Sequence, residues 1–333
     1  MKILHVPDLH LYDQDIGYSI GYADESIKIL EKVKEEFITG EYDLITLGGD
    51  IQHAKIQKTK YISAFQRILA EIGVICKERL TEKGLIDKIE LYDIRGRKMP
   101  KGERFLLSVR GNHDTNPIEE FTFFDLLIDN EIIINPRYMI IDDLQINFIN
   151  HTRDTSEFFE ERRAKVVIGI YHNLIMDRGV YTDGFLGKSL EPSELGIFKD
   201  VDLAIINDIH APLPVYDVIT GTQKTIVITP GSLGRTSFSK GQIRDYGNLV
   251  KVEIDENYDL NVGLVEIDLT PSDIFFNKEG LLKKKMIENA FENFSLEIAD
   301  LEISYFNIYD ELEKVVEDEE IKDICIEILK GVE

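Results

Sequence analysis

Five apolar runs in the sequence each end on residue types that bind metal ions. KILHV (2–6) is followed by Pro7, Asp8, Leu9 and His10, and YDLITLG (42–48) by Gly49, Asp50, Ile51, Gln52 and His53. RFLLSV (104–109) leads into Arg110, Gly111, Asn112, His113 and Asp114, AKVVIGIY (164–171) into His172 and Asn173, and VDLAII (201–206) into Asn207, Asp208, Ile209 and His210. Taken singly, each has an ordinary reading. Asp8 and Asn112 suit turns, and a lone His172 after a strand is most often a satisfied, partly buried side chain. Five such ends together are different, because independent turns have no reason to share metal-ligand chemistry. Five of the seven histidines lie here. Carboxylate with imidazole suits a borderline divalent ion, and a carboxylate shared by two ions holds them about 3.5 to 4 Å apart, a spacing suited to phosphate-ester hydrolysis.

The elements that must position these residues read as alternating strands and helices. Between the first two runs, Ile27, Leu30, Val33 and Phe37 recur at helical spacing; Ile62, Phe65, Ile68, Leu69, Ile72 and Ile75 do so between the second and third. A short helix over FTFFDLLI follows, then a hairpin, RYMIIDDLQINFIN, turning at its Asp-Asp pair. TIVITP reads as a further strand and YGNLVKVEIDENYDLNVGLVEIDL as a hairpin closed by Glu256, Asn257 and Tyr258. Asn207 to His210 are expected to lead into a proline-marked turn at Pro212 and Pro214. The pattern is α/β with mixed sheets, and the carboxyl ends of strands are where such sheets place their sites. After about Pro271 long helical patterns take over, which sets residues 1–270 apart from 271–333.

Composition limits the partners. The chain has 333 residues, ample for a core, and 62 acidic against 38 basic residues for a net charge of −24. So acidic a surface excludes a broad basic nucleic-acid face and requires local attraction of any anionic substrate. Cys76 and Cys325 have no CxxC spacing and read as buried thiols of a reducing compartment. No run approaches the roughly 18 apolar residues of a membrane span, and the N-terminus has no signal-like stretch, so a cytoplasmic protein with no membrane partner is expected.

As a set, Asp8-Leu9-His10, Gly49-Asp50, Gly111-Asn112-His113-Asp114, His172 and Asp208-Ile209-His210 resemble the ordered signature of the calcineurin-like metallophosphoesterases, DxH, GD, GNHD, H and GHxH. Within that superfamily the chain looks like the SbcD-type (meiotic recombination eleven) DNA repair nuclease subunit. His53 stands three residues after Asp50, Pro230-Gly231-Ser232-Leu233-Gly234-Arg235-Thr236-Ser237 resembles a PGS loop, and a closing hairpin follows it. The resemblance, over roughly residues 1 to 270, implies a metallophosphoesterase fold: mixed β-sheets sandwiched and flanked by helices, with a C-terminal helical module. It implies two divalent ions, manganese foremost, with magnesium, iron or zinc as alternatives. Asp8, His10 and His210 would hold one ion, Asp50 would bridge, and Asn112, His172 and Asp208 would hold the second. His113 and His53 would act in catalysis without ligating. At 208 the family has histidine; a carboxylate there makes the second site harder and more anionic, favouring manganese or magnesium. His151 matches no motif and reads as structural or as a support to the ligands.

Other features pull in different directions. Asp183 to Ser189 looks like the end of a phosphate-binding loop, but Thr182 replaces its first glycine, so a surface loop is the better reading. Arg95, Arg97, Lys98, Lys101 and Arg104 are concentrated in IRGRKMPKGER, either a solvated hairpin or a contact to DNA phosphates, with Arg235 a further candidate DNA contact. From Glu279 to Glu333 there are 16 acidic and 6 basic residues, yet Leu312, Val315, Val316, Ile321, Ile324, Cys325, Ile328 and Leu329 offer apolar faces. By resemblance, such helices dock on an SbcC-type coiled-coil ABC ATPase; a lid on the chain's own domain or a homodimer contact are the alternatives. The expectation is a manganese-dependent DNA exonuclease and endonuclease of a repair or recombination complex. A hydrolase of small phosphoesters and a catalytically weak scaffold are its rivals.

Overall fold

The computed structural model describes residues 1–13, 21–54, 56, 58–115, 121–152, 154–175, 196–220, 222–236 and 243–277. The Thr182 to Ser189 segment, Ser237, Cys325 and the helical patterns beyond 279 lie outside these. The chain divides into one unit of Met1–Asp13 with Tyr22–Pro271 and another of Gln14–Gly21 with Ser272–Glu333. In the second, the described residues form a short helix, Ser272–Phe275.

The first unit is built on two mixed sheets. In chain order its elements are β1 (Lys2–Val6), α1 (Tyr22–Thr39), β2 (Leu44–Leu47), α2 (Thr59–Glu82), β3 (Glu90–Tyr92), β4 (Lys98–Met99), β5 (Leu107–Ser108) and α3 (Phe123–Asp129). Then come β6 (Tyr138–Ile141), β7 (Leu144–Ile149), β8 (Val166–His172), β9 (Leu203–Asn207), β10 (Leu213–Thr220), β11 (Gln223–Thr229), β12 (Tyr246–Ile254) and β13 (Leu260–Asp268). One sheet has the order β13-β12-β1-β2-β5, the other β10-β11-β9-β8-β7-β6-β3-β4. β1, β2 and β5 run parallel in the first sheet, as do β7, β8, β9 and β11 in the second.

Parity along the strands explains their unbroken apolar character. Ile168 and Ile170 of β8 and Leu203 and Ile205 of β9 join the main core, shared with β1, β2, α1 and α2. Val167, Tyr171, Ala204 and Ile206 face a second core with Phe158 and Phe198. The central strands are buried on both faces, as in parallel sheets generally. The same period of two puts His172 and Asn207 on the face of Ile170 and Ile205, toward the first sheet. The expected turn at Pro212 and Pro214 is instead the start of β10, an edge strand. Its register with β11 shifts between Leu213 and Tyr216, where Pro214 needs no ladder hydrogen bond.

A buried polar tie joins the sheets beneath the strand ends. His5 of β1 pairs through Nδ1 with Thr46 Oγ1 at 3.0 Å and through Nε2 with Asn207 Oδ1 at 3.0 Å. Asn207 Nδ2 donates to Tyr171 O at 3.0 Å. Burial pulls the His5 imidazole down from 6.5 to about 4, against the hydrogen bond that its Nε2 donates to Asn207 Oδ1. The folded state therefore holds His5 neutral while the unfolded chain protonates it near 6.5. This contribution to stability is complete above pH 6.5 and is lost as the pH falls toward 4. At about 1.4 kcal/mol per unit, the loss is about 3 kcal/mol. Denaturant unfolding of the wild type and His5→Gln at pH 7 and pH 4.5 should show a stability difference that shrinks at the lower pH; a constant difference contradicts the assignment.

Candidate metal centre

The five strand ends converge from both sheets, three from the first and two from the second. Beyond β1 and β2 the chains stay in register: His10 N donates to Asp50 O at 2.8 Å, Leu11 N to Ile51 O at 2.7 Å and His53 N to Leu11 O at 3.0 Å. His10, Asp50 and Asp208 all have positive φ, at 47°, 42° and 78°. Such left-handed geometry costs a residue with a Cβ on the order of 1 to 3 kcal/mol and persists where the surroundings enforce it. Here it turns three ligand-type side chains back toward one point.

The carboxylates at that point share a pattern. Asp8 Oδ2 accepts from Asp208 N at 3.0 Å, and Asp50 Oδ1 accepts from His113 N at 2.8 Å. Their other oxygens, Asp8 Oδ1 and Asp50 Oδ2, are buried without a hydrogen-bond partner. They face imidazoles instead: Asp50 Oδ2 lies 3.9 Å from His10 Nε2 and 3.3 Å from His172 Nε2, and Asp8 Oδ1 lies 3.6 Å from His172 Nδ1. Asp50 thus spans two groups. On one side Asp8, His10 and His210 close to within 4.8 Å of one another, with His10 Nε2 and His210 Nε2 at 2.9 Å. On the other, Asp8, Asp50 and His172 do the same; Asn112 Oδ1 is 3.0 Å and Asp208 Oδ1 3.9 Å from His172 Nε2. His172 Nδ1 donates to Gly48 O at 2.7 Å, which turns Nε2 to the centre.

Titration follows from this crowding. Burial, with the charges of Asp50 and Asp208, pushes Asp8 well up despite His172. Burial also raises Asp50, but the charges of His172 and His10 beside it outweigh that and hold Asp50 below the usual range. His172 is raised well above its ordinary value, because Asp50 and Asp8 overcome burial. His10 and His210 are lowered, chiefly by burial, and stay neutral. Buried carboxylate oxygens without hydrogen bonds, set among imidazoles of which His10 and His210 are neutral, fit divalent cations. Asp8, His10, His210 and Asp50 would hold one ion, and Asp50, His172, Asn112 and Asp208 a second, displacing the His172 proton. Bound there, the ions would supply nucleophile activation and charge neutralisation at a phosphoryl group.

His53 and His113 flank the His10 side. Their ring centroids lie 4.9 Å apart and 5.3 and 5.2 Å from His10, and His113 Nδ1 donates to His53 O at 2.7 Å. His10, His53 and His113 also close to within 4.8 Å, so geometry alone permits an ion among them as well. Asp114 is a support that its motif position hid. Its carboxylate accepts from Ile51 N, Gln52 N and Gly111 N, stitching the Asp50 loop to the Asn112 loop, and burial with the Asp50 charge raises it to about 7. His151, read from sequence as structural or supporting, sits with its ring 6.3 Å from that of His172.

The candidate DNA contacts fare differently. Arg235 is 1% exposed and pairs with Glu25 at 3.0 Å, with Nη1 donating to Arg244 O. It anchors the Pro230 to Arg235 loop and offers DNA no surface, a correction to its reading as a contact. That loop closes on the site: Leu233 N donates to Asp8 O and Ser232 N to His210 O. The other five residues lie on or beside the β3–β4 hairpin. Arg97 pairs with Asp93 and Lys98 with Glu90; Lys101 donates to Ile86 O and Arg104 to Asn130 O; Arg95 is exposed. The register Tyr92, Tyr138, Asn147, Gly169 aims the hairpin turn toward the same edge as His172, three to four strand spacings or about 14 to 19 Å from β8.

A family description of calcineurin-like phosphoesterases matches residues 1–181, and the chain belongs to that family. It is a metal-dependent phosphoester hydrolase by family, and Asp208 and His210 come from beyond the matched region. No curated protein matches the chain. Among solved structures, a hypothetical protein from Thermus thermophilus is similar over 81% of this chain and 100% of its own, at 10% identity and a TM-score of 0.44. Among the described residues no helix is long and apolar enough to cross a membrane.

One glycine sets the bridge. A Cβ on Gly111 would fall 2.0 Å from Asp50 Oδ1 and 2.4 Å from Asp50 N. Gly111→Ala should displace Asp50 and weaken manganese binding about ten- to a hundredfold by isothermal titration. Wild-type affinity in the folded variant would show that Asp50 does not hold the ions.

Proposed function

We propose that this protein is a manganese-dependent phosphodiesterase of DNA, the exonuclease and endonuclease subunit of an SbcC/SbcD-like repair or recombination complex. The observation that carries the phosphodiesterase reading is the Asp50 carboxylate, whose Oδ2 addresses both His10 and His172 and so can tie two ions at one phosphoryl group. Asp208 makes the second site oxygen-rich, which favours manganese or magnesium. His113 and His53 are the residues assigned to stabilising the transition state and protonating the leaving oxygen. The nuclease reading draws support from the Pro230 to Arg235 loop against Asp8 and His210, and from the β12–β13 hairpin that closes the first sheet beside β1.

A hydrolase of small phosphoesters has an observation in its favour: four of the five basic residues around the hairpin are tied to local carboxylates or carbonyls. The ATPase partner is proposed from the apolar positions of the C-terminal segment, Leu312 to Leu329, and a catalytically weak scaffold role from that docking alone. Purified protein with manganese should cleave DNA as well as a chromogenic phosphodiester, and His113→Ala should lower both rates about 100- to 10,000-fold. Cleavage of the small ester alone supports the small-substrate hydrolase, and inertness toward both supports the scaffold. Removing residues 305–333 should abolish co-purification with an SbcC-type ATPase while leaving hydrolysis of the chromogenic ester intact; retained association overturns the docking segment.

A further inference from the structure

We propose that His151 is a substrate-contacting residue, placed on the His172 side of the metal centre to hydrogen-bond the phosphoryl group under attack. The inference rests on the reading of the site as a phosphoester hydrolase and adds a residue that none of the signature motifs contains.

The placement begins with the strand. β7 lies beside β8 and parallel to it, and its last residue, Ile149, is in register with Tyr171. The chain therefore leaves β7 next to His172, and His151 comes two residues later. Its backbone is then fixed to the two loops that carry second-ion ligands. His151 N donates to Arg110 O at 2.8 Å, and Asn150 Oδ1 accepts from Arg110 N at 2.7 Å, two residues before Asn112. Asn173, next to His172, donates to Asn150 O at 3.1 Å and accepts from Thr152 N at 3.3 Å. Backbone and amide groups hold this loop, so the imidazole is not required for its shape.

The ring stands edge-on to His172, at 6.3 Å and 74°, half-buried, with Nδ1 lacking a hydrogen-bond partner. It is close enough to Asp208 and Asp50 to feel their charge. Yet it belongs to none of the three ligand groups that close to within 4.8 Å among the described residues. It stands outside those ligand groups and beside His172, within reach of an oxygen of a phosphoryl group held there. His53 and His113 occupy the corresponding layer around His10. Imidazoles on both flanks form a set of fixed donors around an anionic group, an arrangement that needs no reorganisation during reaction.

The test uses the full-length, manganese-loaded protein with His151→Ala and His151→Gln, after checking that both melt like the wild type. With a chromogenic phosphodiester, KM should rise about tenfold or more in the alanine variant while kcat stays within a few-fold. Binding of inorganic phosphate, measured by calorimetry, should weaken by a similar factor, with partial recovery in the glutamine variant. Manganese stoichiometry and affinity should be unchanged. Unchanged KM and phosphate affinity overturn the proposal, as does a loss traced to weaker manganese binding, which would make His151 only a prop for His172. If the wild type hydrolyses no phosphoester, the hydrolase reading fails on its own, and the phosphate titrations still decide whether His151 contacts the anion.

Discussion

The structure turns on the burial of two carboxylates, Asp8 and Asp50, in a place where each has one oxygen without a hydrogen bond. A buried, unpartnered carboxylate oxygen is among the costlier things a fold can contain. Here the neighbours are imidazoles rather than lysines or arginines, and two of them, His10 and His210, are kept neutral by burial. A site so arranged is balanced by divalent cations. The left-handed backbone at His10, Asp50 and Asp208, the glycine at 111 and the stitching by Asp114 can all be understood as means of aiming that set at one point.

Two sheets are needed because no single sheet edge could surround the ions. β1, β2 and β5 deliver Asp8, His10, Asp50, His53, Asn112 and His113, and β8 and β9 deliver His172, Asp208 and His210. Asp50 then stands between the two contributions. The relative position of the sheets must be held closely, since a small shear would separate His10 from His210 and Asp50 from His172. The His5, Thr46 and Asn207 contacts and the link from Leu233 N to Asp8 O cross between elements for this purpose. Polar ties of this kind fix geometry more narrowly than apolar packing does, because they fail when the distance changes by about half an ångström.

The acidity of the chain and the chemistry of the site are compatible once the ions are counted. A surface with a net charge of −24 repels polyanions at long range, so attraction must come from the metals or from local cations. The tie-up of Arg97, Lys98, Lys101 and Arg104 leaves few such cations near the hairpin, and Arg235 serves the loop rather than a ligand. Asp208 adds a further carboxylate on the His172 side, which would favour harder cations there.

The sequence by itself determined the α/β alternation, the helices α1 and α2, the hairpins β6–β7 and β12–β13 and the Asp, Asn and His side chains that follow five strands. These are local properties: periodicity, turn residues and a short ordered signature. Only the tertiary structure decided that the five ends come from two sheets, that Pro214 lies in an edge strand, that Arg235 is buried against Glu25, and that His5 and His151 belong to the surroundings of the site. Each of these depends on contacts between residues far apart in the chain, such as His5 with Asn207 and Arg235 with Glu25. A one-dimensional pattern shows which side chains could bear charge or bind metal. Which of them are neutralised by a neighbour, and which meet across a cleft, is settled by packing.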